Sequence, residues 1–549
     1  MIKEEIAKII GRGINLVHPK DFRNGDYTLI ADEKAAQEDF EKLERNRPAS
    51  VSKIEFIKPR FINIYLSKQF FGESLKEIIE KGDEFGKSKS VDKKIMIEYT
   101  DANLFKEFHI GHLMSNSIGE ALARLLEWNG ADVKRANYQG DIGLHVAKAV
   151  WGKLKLPDLT WGEAYILGSA AYESHALSWY KNDALSKFLL GRNQGLDKNE
   201  IIEINKKIYN GDDHKVIEVY NEGRKLSLEK LEKIYERVGM LQRNHLGEQR
   251  YFDFYFFESA SWYIGKVIVE NNIPSVFKKS EGAVVFHGEE CDPPLHTRVF
   301  INSQNLPTYE AKELGLLKSK IDKQGWNFDT SISITANEQT EYFKVVLAAA
   351  KKINELASAA EKTKHIAHGT LRLSTGKMSS RTGNVVTAEA LIEEVKSRTK
   401  GDEQVAIGAI KYMILRQAIG NDIVFDFEKS VSTEGDSGVY LQYAHARANS
   451  ILEKSKSSPP AKGEMSQTEG VRIIERLLYR FPEIVERAGK EYAPNYITTY
   501  LTELASSFNN FYAQEQIIGN EYRMMITQAF KIVMKNGLTI LGIPAPERM

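Results

Sequence analysis

The spacing of apolar residues predicts a strand followed by a long helix in the first quarter of the chain. A short apolar run at Ile95–Ile97 predicts a buried strand. Further on, apolar residues recur with the 3.6-residue period of one helix face. They are Ile118, Ala121, Leu122, Leu125 and Leu126. A strand, a loop and a helix in this order are typical of nucleotide-binding α/β folds.

The first part of the chain, residues 1–88, predicts a small α/β module. Helix formers cluster at Glu33–Leu43, and Phe61–Leu66 has the composition of a strand. The glycine- and lysine-rich stretch Lys81–Ser88 predicts a linker. We therefore place a domain boundary near residue 88.

The last part, residues 435–549, is predicted to be helical throughout. Amphipathic runs lie at Val471–Phe481, Tyr496–Phe511 and Met525–Leu541. Between the helices, Lys454–Gly470 is polar and contains Ser-Ser-Pro-Pro, so it predicts a loop. These features predict a helical bundle as the C-terminal domain.

The middle of the chain, residues 89–434, is predicted to form one larger domain with an insertion. Residues 89–155 supply the first half of a nucleotide fold, and residues 266–434 supply the second half and a stem. The intervening residues, about 156–265, are rich in tyrosine, charge and helix formers.

Two short motifs carry the candidate chemistry. Residues 108–112 read Phe-His-Ile-Gly-His and open the predicted helix. A helix N-terminus offers unpaired N–H groups and a positive dipole end, so imidazoles placed there suit triphosphate oxygens. Residues 376–381 read Gly-Lys-Met-Ser-Ser-Arg, between apolar Leu371 and Leu373 and a helical stretch at Ala388–Val395. A small, basic loop of this kind suits pyrophosphate.

Together the two motifs resemble the signature pair of class I aminoacyl-tRNA synthetases, and other segments resemble the arginyl members. Those segments are Ile97–Lys106, Asn137–Gly143, Leu306–Gly315, Ser437–Arg447 and Leu541–Met549. The resemblance implies a Rossmann-type catalytic domain with an insertion over the acceptor end, a small N-terminal α/β domain that contacts the tRNA elbow, and an all-α anticodon-binding bundle. It implies that arginine and ATP give arginyl-adenylate, and that tRNA(Arg) then takes the arginyl group.

The resemblance also implies residue roles. The catalytic groups would be Lys106, His109, His112 and Lys377, and ATP would be held by His109, Gly111, His112, Lys377, Met378, Ser379 and Ser380, with Mg²⁺ carried on ATP. Arginine would be held by Glu98, Asn103, Tyr309, Glu313 and Gln339. The family usually has a second lysine where this chain has Ser380, so either Lys106 or Arg381 is expected to supply the missing cation. At position 313 the family more often has aspartate.

The helical domain carries aromatic residues that could stack on unpaired anticodon bases. We expect most of them to belong to the core, with one or two in contact with bases. The candidates are Tyr440, Tyr443, Phe508, Phe511 and Tyr512.

Composition changes this picture in only a few places. The 549 residues include 75 basic and 75 acidic ones, so any RNA-binding surface must be a local patch. The single cysteine, Cys291, excludes a multi-thiolate zinc site and argues against cysteine-rich zinc synthetases. The chain shows neither a long apolar run nor a signal-peptide pattern at its start. We expect a cytoplasmic protein that binds no membrane and, like most family members, is a monomer.

Three other functions remain as alternatives. Another class I synthetase with a helical anticodon domain, cysteinyl or lysyl, fits the layout but not the arginine-type segments. A silent tRNA-binding paralogue would have lost His109, His112 and Lys377, which are present. A small-molecule nucleotidyltransferase would not need the helical C-terminal domain.

Overall fold

The computed structural model describes residues 2–173, 188, 194–245, 248–322, 326–374, 386–456 and 471–549. The N-terminal part is a four-stranded antiparallel sheet of strand order β1-β2-β4-β3, with three helices packed around it. The strand and the helix predicted here are confirmed, as β4 and α2. The elements are α1 Ile2–Ile10, β1 Leu16–Val17, β2 Tyr27–Ile30, α2 Ala36–Arg45, β3 Val51–Ile57, β4 Phe61–Leu66 and α3 Lys68–Lys81.

The predicted linker at residues 81–88 is exposed over much of its length but is anchored at one residue. Phe85 is buried and stacks on Phe481, with ring centroids 6.2 Å apart. The Asn536 side chain donates hydrogen bonds to the carbonyl oxygens of Gly82 and Phe85 at 3.0 and 3.1 Å. The segment is therefore held against the C-terminal bundle, and its role as a boundary between domains stays a prediction.

The central domain is built on a five-stranded parallel sheet of order β14-β13-β5-β6-β9. Strand β5 confirms the predicted strand, and the chain proceeds to one side through β6 and to the other through β13. The point where the direction reverses lies between β5 and β13, and such a switch point opens a crevice at the carboxyl ends of the strands. The first elements are β5 Lys94–Glu98, α4 Ile110–Trp128, β6 Asp132–Gln139 and α5 Leu144–Lys155.

Helices and a short hairpin follow α5, and the second half of the domain then completes the sheet. The inserted elements are α6 Trp161–Glu173, α7 Gln194–Asn210, α8 His214–Arg237, β7 Arg243–His245 and β8 Glu248–Arg250. The second half comprises β9 Phe254–Phe257, α9 Glu258–Asn271, β10 Lys278–Ser280, β11 Ala283–Phe286, β12 Arg298–Ile301, α10 Tyr309–Ile321, β13 Thr330–Ala336, α11 Thr340–Lys351, α12 Asn354–Lys362 and β14 Thr363–His368.

The rest of the described chain is mainly helical, and the three predicted amphipathic runs are confirmed in α17, α19 and α20. The loop predicted from Lys454 begins later, because α16 continues to Lys456; residues 457–470 lie outside the described residues. The elements are β15 Leu371–Leu373, α13 Ala388–Arg398, α14 Glu403–Leu415, β16 Ile423–Phe425, α15 Phe427–Ser430, α16 Gly438–Lys456, α17 Ile473–Leu478, α18 Phe481–Glu491, α19 Asn495–Gln514 and α20 Glu521–Ile540.

Helix α4 is buried on all sides, whereas its sequence pattern indicated one buried face. Its first turn lies at the crevice, and its last turn meets the C-terminal bundle, where Trp128 packs edge-on against Phe481. Gly119 lies where strand β5 approaches, since a Cβ there would come within 2.1 Å of the Tyr99 ring. The small residue allows the helix and the strand to pack at this distance.

A buried ionic network fixes α4 to its surroundings. The Glu120 carboxylate accepts hydrogen bonds from Arg124, Arg135 and Tyr99 at 2.7, 2.8 and 2.6 Å. Arg124 also donates to the carbonyl oxygen of Thr539 in α20 at 3.0 Å. Although burial acts in the opposite direction, Arg135 and Arg124 lower the pKa of Glu120, so its carboxylate is ionised at neutral pH.

Among the helices that the structure describes, none is long and apolar enough to cross a membrane.

Glu120→Gln should strongly destabilise the protein, because it removes the buried anion that two buried arginines face. We expect a loss of about 3 kcal/mol or more in the free energy of unfolding. Glu77→Gln is the matched control, since Glu77 pairs with Lys81 on an exposed helix face and its loss should cost at most about 0.5 kcal/mol. Urea unfolding midpoints measure both effects. Equal shifts for the two variants would contradict the role of Glu120.

Candidate active site

The crevice at the switch point is a cleft of about 430 Å³. Its walls combine the carboxyl ends of β5 and β13, the first turn of α4 and one face of α10. Eight of the residues singled out from the sequence line it: Glu98, Asn103, His109, Gly111, His112, Tyr309, Glu313 and Gln339. Residues from distant parts of the chain therefore meet in one cavity.

His109 and His112 form a reciprocal cap at the start of α4. Nδ1 of His109 accepts a hydrogen bond from the Gly111 backbone N–H at 3.1 Å, and Nδ1 of His112 accepts one from the His109 N–H at 3.3 Å. The two rings stack with centroids 3.7 Å apart. A ring whose Nδ1 accepts must carry its proton on Nε2 when it is neutral. The local backbone thus selects the tautomer in both rings.

The electrostatic surroundings keep both imidazoles neutral. Burial, followed by the charge of Lys106, lowers the pKa of His109 to about 4. Burial and the neighbouring His109 hold the pKa of His112 well below its usual range. At neutral pH both residues therefore offer Nε2–H as a hydrogen-bond donor, which suits an anionic ligand. We refer to this part of the cleft as the imidazole end.

Gly111 and Lys106 complete the surroundings of this end. A Cβ on Gly111 would come within 2.9 Å of the His109 ring, so a side chain there would displace the imidazole. Lys106 is half-buried, with its Nζ 4.8 Å from the centre of the Tyr165 ring. Its charge acts on both histidines.

The second motif lies outside the described residues. This applies to Lys377, Met378, Ser379, Ser380 and Arg381. The chain that follows it is anchored to the first motif: the Ile110 N–H donates to the Val386 carbonyl oxygen at 3.3 Å, and the Ala388 N–H donates to that of Phe108 at 2.8 Å. The described end of the second segment therefore lies beside the first motif.

At the opposite part of the cleft, which we call the acid end, Glu98 is already paired. Its Oε1 accepts a hydrogen bond from the Ser333 hydroxyl at 3.0 Å. Its Oε2 lies 3.0 Å from Nζ of Lys320, and both side chains are almost completely buried. Glu98 therefore occupies a fixed position at the end of β5.

Glu313 and Asp101 are less well compensated. Burial and the nearby Glu98 raise the pKa of Glu313 to about 8. Burial and Glu98 also raise the pKa of Asp101 well above its usual range, although its carboxylate accepts the Tyr138 N–H at 2.8 Å. Acidic groups held in this state favour a cationic ligand.

The mouth of the acid end is aromatic. The Tyr342 hydroxyl lies 3.0 Å from the Tyr309 carbonyl oxygen and 3.4 Å from the Glu313 carboxylate. The Tyr309 ring is 58% exposed, so it can close on a ligand. Glu258, a further acid in the wall, is neutralised by Lys312 at 2.7 Å.

Sequence reasoning missed several lining residues, among them Asp101, Tyr138, Glu258, Tyr342 and His368. A signal existed for Asp101, because it follows Glu98 in the quoted run. The structure adds that Thr100 and Asp101 have φ angles of 79° and 44°, a strained region for such residues. Strain of this kind clusters at functional sites.

The candidate stacking residues of the helical domain separate into two groups. Tyr440, Phe508 and Phe511 are buried in the bundle, as expected for most of them. Tyr443 is half-buried and Tyr512 is exposed, and the Arg447 guanidinium lies 4.6 and 5.3 Å from their ring centres.

Comparison with known proteins gives consistent results. The family described as "tRNA synthetases class I (R), catalytic domain" matches residues 74–427, and the "DALR anticodon binding domain" matches residues 441–549. The chain is 29% identical over 525 residues to an arginine–tRNA ligase of Borreliella burgdorferi, covering 89% of this chain and 86% of the relative. It is 28% identical over an alignment of 602 residues to that of Treponema denticola, covering 100% and 96%.

A solved structure has the same fold. The Thermus thermophilus arginyl-tRNA synthetase superposes with a TM-score of 0.76 at 22% identity, covering 100% of this chain and 99% of the other. The catalytic-domain match alone extends over most of the sequence and includes the first motif, the acid end and the second motif. The chain therefore belongs to the class I tRNA synthetases of the arginine type, the enzymes that join arginine to its tRNA.

Proposed function

We propose that the cleft forms arginyl-adenylate from arginine and ATP at its two ends and passes the arginyl group to the 3′ end of tRNA(Arg). One observation carries the proposal: a single cavity joins two neutral imidazole donors at a helix start to buried acids that lack full cationic compensation. The first arrangement suits polyphosphate, and the second suits a guanidinium.

At the imidazole end the residues bind and orient ATP. The arginine carboxylate attacks the α-phosphorus, and the bond to the departing pyrophosphate breaks. Because that carboxylate is already ionised, no protein base is needed, and a neutral histidine whose Nε2 already carries a proton cannot accept another there. Nε2–H of His109 and of His112 donate to phosphate oxygens, and the Lys377 loop closes over the β and γ phosphates.

Magnesium would enter this end on ATP. A hard cation with phosphate and water ligands needs few protein ligands. Besides the two histidines, the lining includes the hydroxyl residues Thr100 and Ser115, and the charge of Lys106 acts on both imidazoles. This setting fits a magnesium ion carried by the nucleotide. Zinc has no part in the proposal.

At the acid end the residues select arginine. The planar guanidinium donates paired hydrogen bonds to carboxylates, a geometry that an ammonium cannot match. Glu313 is the less compensated acid and Glu98 is held in a fixed position, so together they can accept the paired hydrogen bonds of the guanidinium. Asn103 would hold the α-amino and carboxylate groups, while Tyr309 and Gln339 close the pocket. The longer Glu313, at a position where aspartate is usual, reaches the pocket from α10.

The remaining roles concern tRNA and the cell. The N-terminal sheet would contact the tRNA elbow. The cluster of half-buried Tyr443 and Arg447 with exposed Tyr512 is the part of the bundle best suited to stack on anticodon bases. We infer a cytoplasmic monomer that acts without a membrane.

The proposed function is tested by pyrophosphate exchange with each of the twenty amino acids. Of the twenty amino acids, only arginine should support exchange. Exchange should be near background without tRNA, appear when tRNA(Arg) is added, and disappear when residues from about 435 onward are deleted, because binding at a distant site would organise the pocket. Exchange with another amino acid would refute the substrate assignment. Full exchange without tRNA would refute only the coupling.

Lys106→Ala should slow adenylate formation by about 10²-fold if Lys106 supplies the cation that Ser380 lacks. Single-turnover rates in the enzyme–tRNA complex measure this. Lys106→Arg should keep most of the rate, and Arg381→Ala should be milder. Lys153→Ala is the matched control, because the Lys153 ammonium also lies over an aromatic ring, 5.5 Å from the centre of Trp161. A parental rate for Lys106→Ala would exclude this role.

The KM for arginine should fall as the pH rises. Glu313 carries a proton below its pKa of about 8 and is then neutral; above it the carboxylate attracts the guanidinium, which stays charged. We expect about a tenfold lower KM near pH 9 than near pH 7. Glu313→Gln should raise KM and abolish this dependence, whereas Glu341→Gln, an exposed acid on α11, should leave it intact. A pH-independent KM in the parent would argue against Glu313.

A further inference from the structure

Lys320 is a buried lysine that the reaction scheme above does not use. It lies near the end of α10, 1% exposed, with its Nζ 3.0 Å from Glu98 Oε2. An ammonium is normally kept in water, and burying it is costly unless anions surround it. Its position at the rear of the acid end therefore calls for an explanation.

The groups facing Lys320 come from several elements. Glu98 lies at the end of β5, Asp101 in the loop that follows, and Glu313 two turns earlier on α10 itself. Burial alone would lower the pKa of Lys320, but Glu98 and then Glu313, with a smaller part from Asp101, raise it. The ammonium is therefore charged, and it partly offsets three acids.

The geometry makes Glu98 the principal partner. One carboxylate oxygen accepts from Ser333 of β13 and the other faces Lys320, so rotation of the carboxylate would break one of the two contacts. Recognition of a guanidinium depends on acceptors held in a fixed plane. Lys320 also acts on Glu313, because it lowers the pKa of that acid against the larger effects of burial and of Glu98. Without the ammonium, Glu313 would therefore keep its proton to higher pH.

We propose that Lys320 is a positioning residue for arginine recognition, which acts through Glu98 by holding its carboxylate in one orientation. The inference rests on the proposed arginine pocket. The lysine makes no contact with substrate in this scheme. It keeps one acceptor of the guanidinium in place, and Glu313 remains the acid that the substrate itself neutralises.

A double-mutant cycle tests this, with arginine and ATP KM values measured in the presence of saturating tRNA(Arg). Lys320→Met should raise the arginine KM by about 10²-fold with little change for ATP. In a Glu98→Gln background the same substitution should add less than about twofold, because its route of action is already lost. Lys318→Met is the matched control: Lys318 lies on the same helix but pairs with Asp322 and Glu355 near the surface, so its loss should change neither KM.

A pH profile separates this role from simple packing. In Lys320→Met the charge that lowers the pKa of Glu313 is lost, so the fall in arginine KM should move to higher pH than in the parent. Lys320→Gln keeps a hydrogen-bond donor for Glu98 without the charge and should show the same alkaline displacement. A packing defect would raise KM equally at every pH.

The outcomes are distinguishable. If Glu98→Gln leaves the arginine KM unchanged, the proposed pocket itself is wrong. If Glu98→Gln raises it, but the effect of Lys320→Met is additive and the pH profile does not move, Lys320 is only structural and the inference is overturned while the pocket stands. Non-additive effects together with an alkaline displacement support it.

Discussion

The architecture depends on one buried carboxylate, that of Glu120. Helix α4 is enclosed on all sides, so a charge in its middle is tolerated only with partners that replace water. Arg135 provides one from β6, and Arg124 provides another while also reaching the Thr539 carbonyl oxygen in α20. The same anion thus ties the parallel sheet, the helix and the C-terminal bundle together. The same helix begins at the two capping histidines, whose rings are held by the backbone N–H groups of Gly111 and His109.

At the cleft the same physical rule applies, but the compensation is incomplete. Glu98 and Glu258 are paired with Lys320 and Lys312, whereas Glu313 is left with a pKa raised by burial and by Glu98. In a core such an acid would be a defect. In a cavity open to solvent it favours a cationic ligand, because a bound guanidinium provides the missing charge. In the proposed mechanism, affinity for arginine and the incomplete compensation of these acids are then the same property.

The sequence predicted what depends on local pattern: strand β5, the long helix, the amphipathic helices of the bundle and the placement of the first motif at a helix start. Prediction from the sequence failed where contacts between distant elements determine which residues are buried or paired. The period of α4 indicated one buried face, because only the folded bundle shows that Trp128 meets Phe481. The composition of the predicted linker at residues 81–88 did not reveal that Phe85 packs against Phe481. The Glu98–Lys320 pair was also missed, although Lys320 lies on the same helix face as Glu313, two turns away.

The neutral state of the histidines bears on the unusual second motif. Two imidazolium ions stacked at 3.7 Å would repel each other, and Lys106 adds to that repulsion. In a confined cleft, a cation near the phosphates therefore disfavours protonated histidines, and protonated histidines disfavour such a cation. With Lys106 in place, the imidazoles remain neutral donors with a tautomer set by the helix cap, and positive charge comes from side chains that keep it at neutral pH. In the proposed mechanism either Lys106 or Arg381 supplies the charge that Ser380 does not provide. Because Lys106 also lowers the pKa of both histidines, these three residues would act as one electrostatic unit.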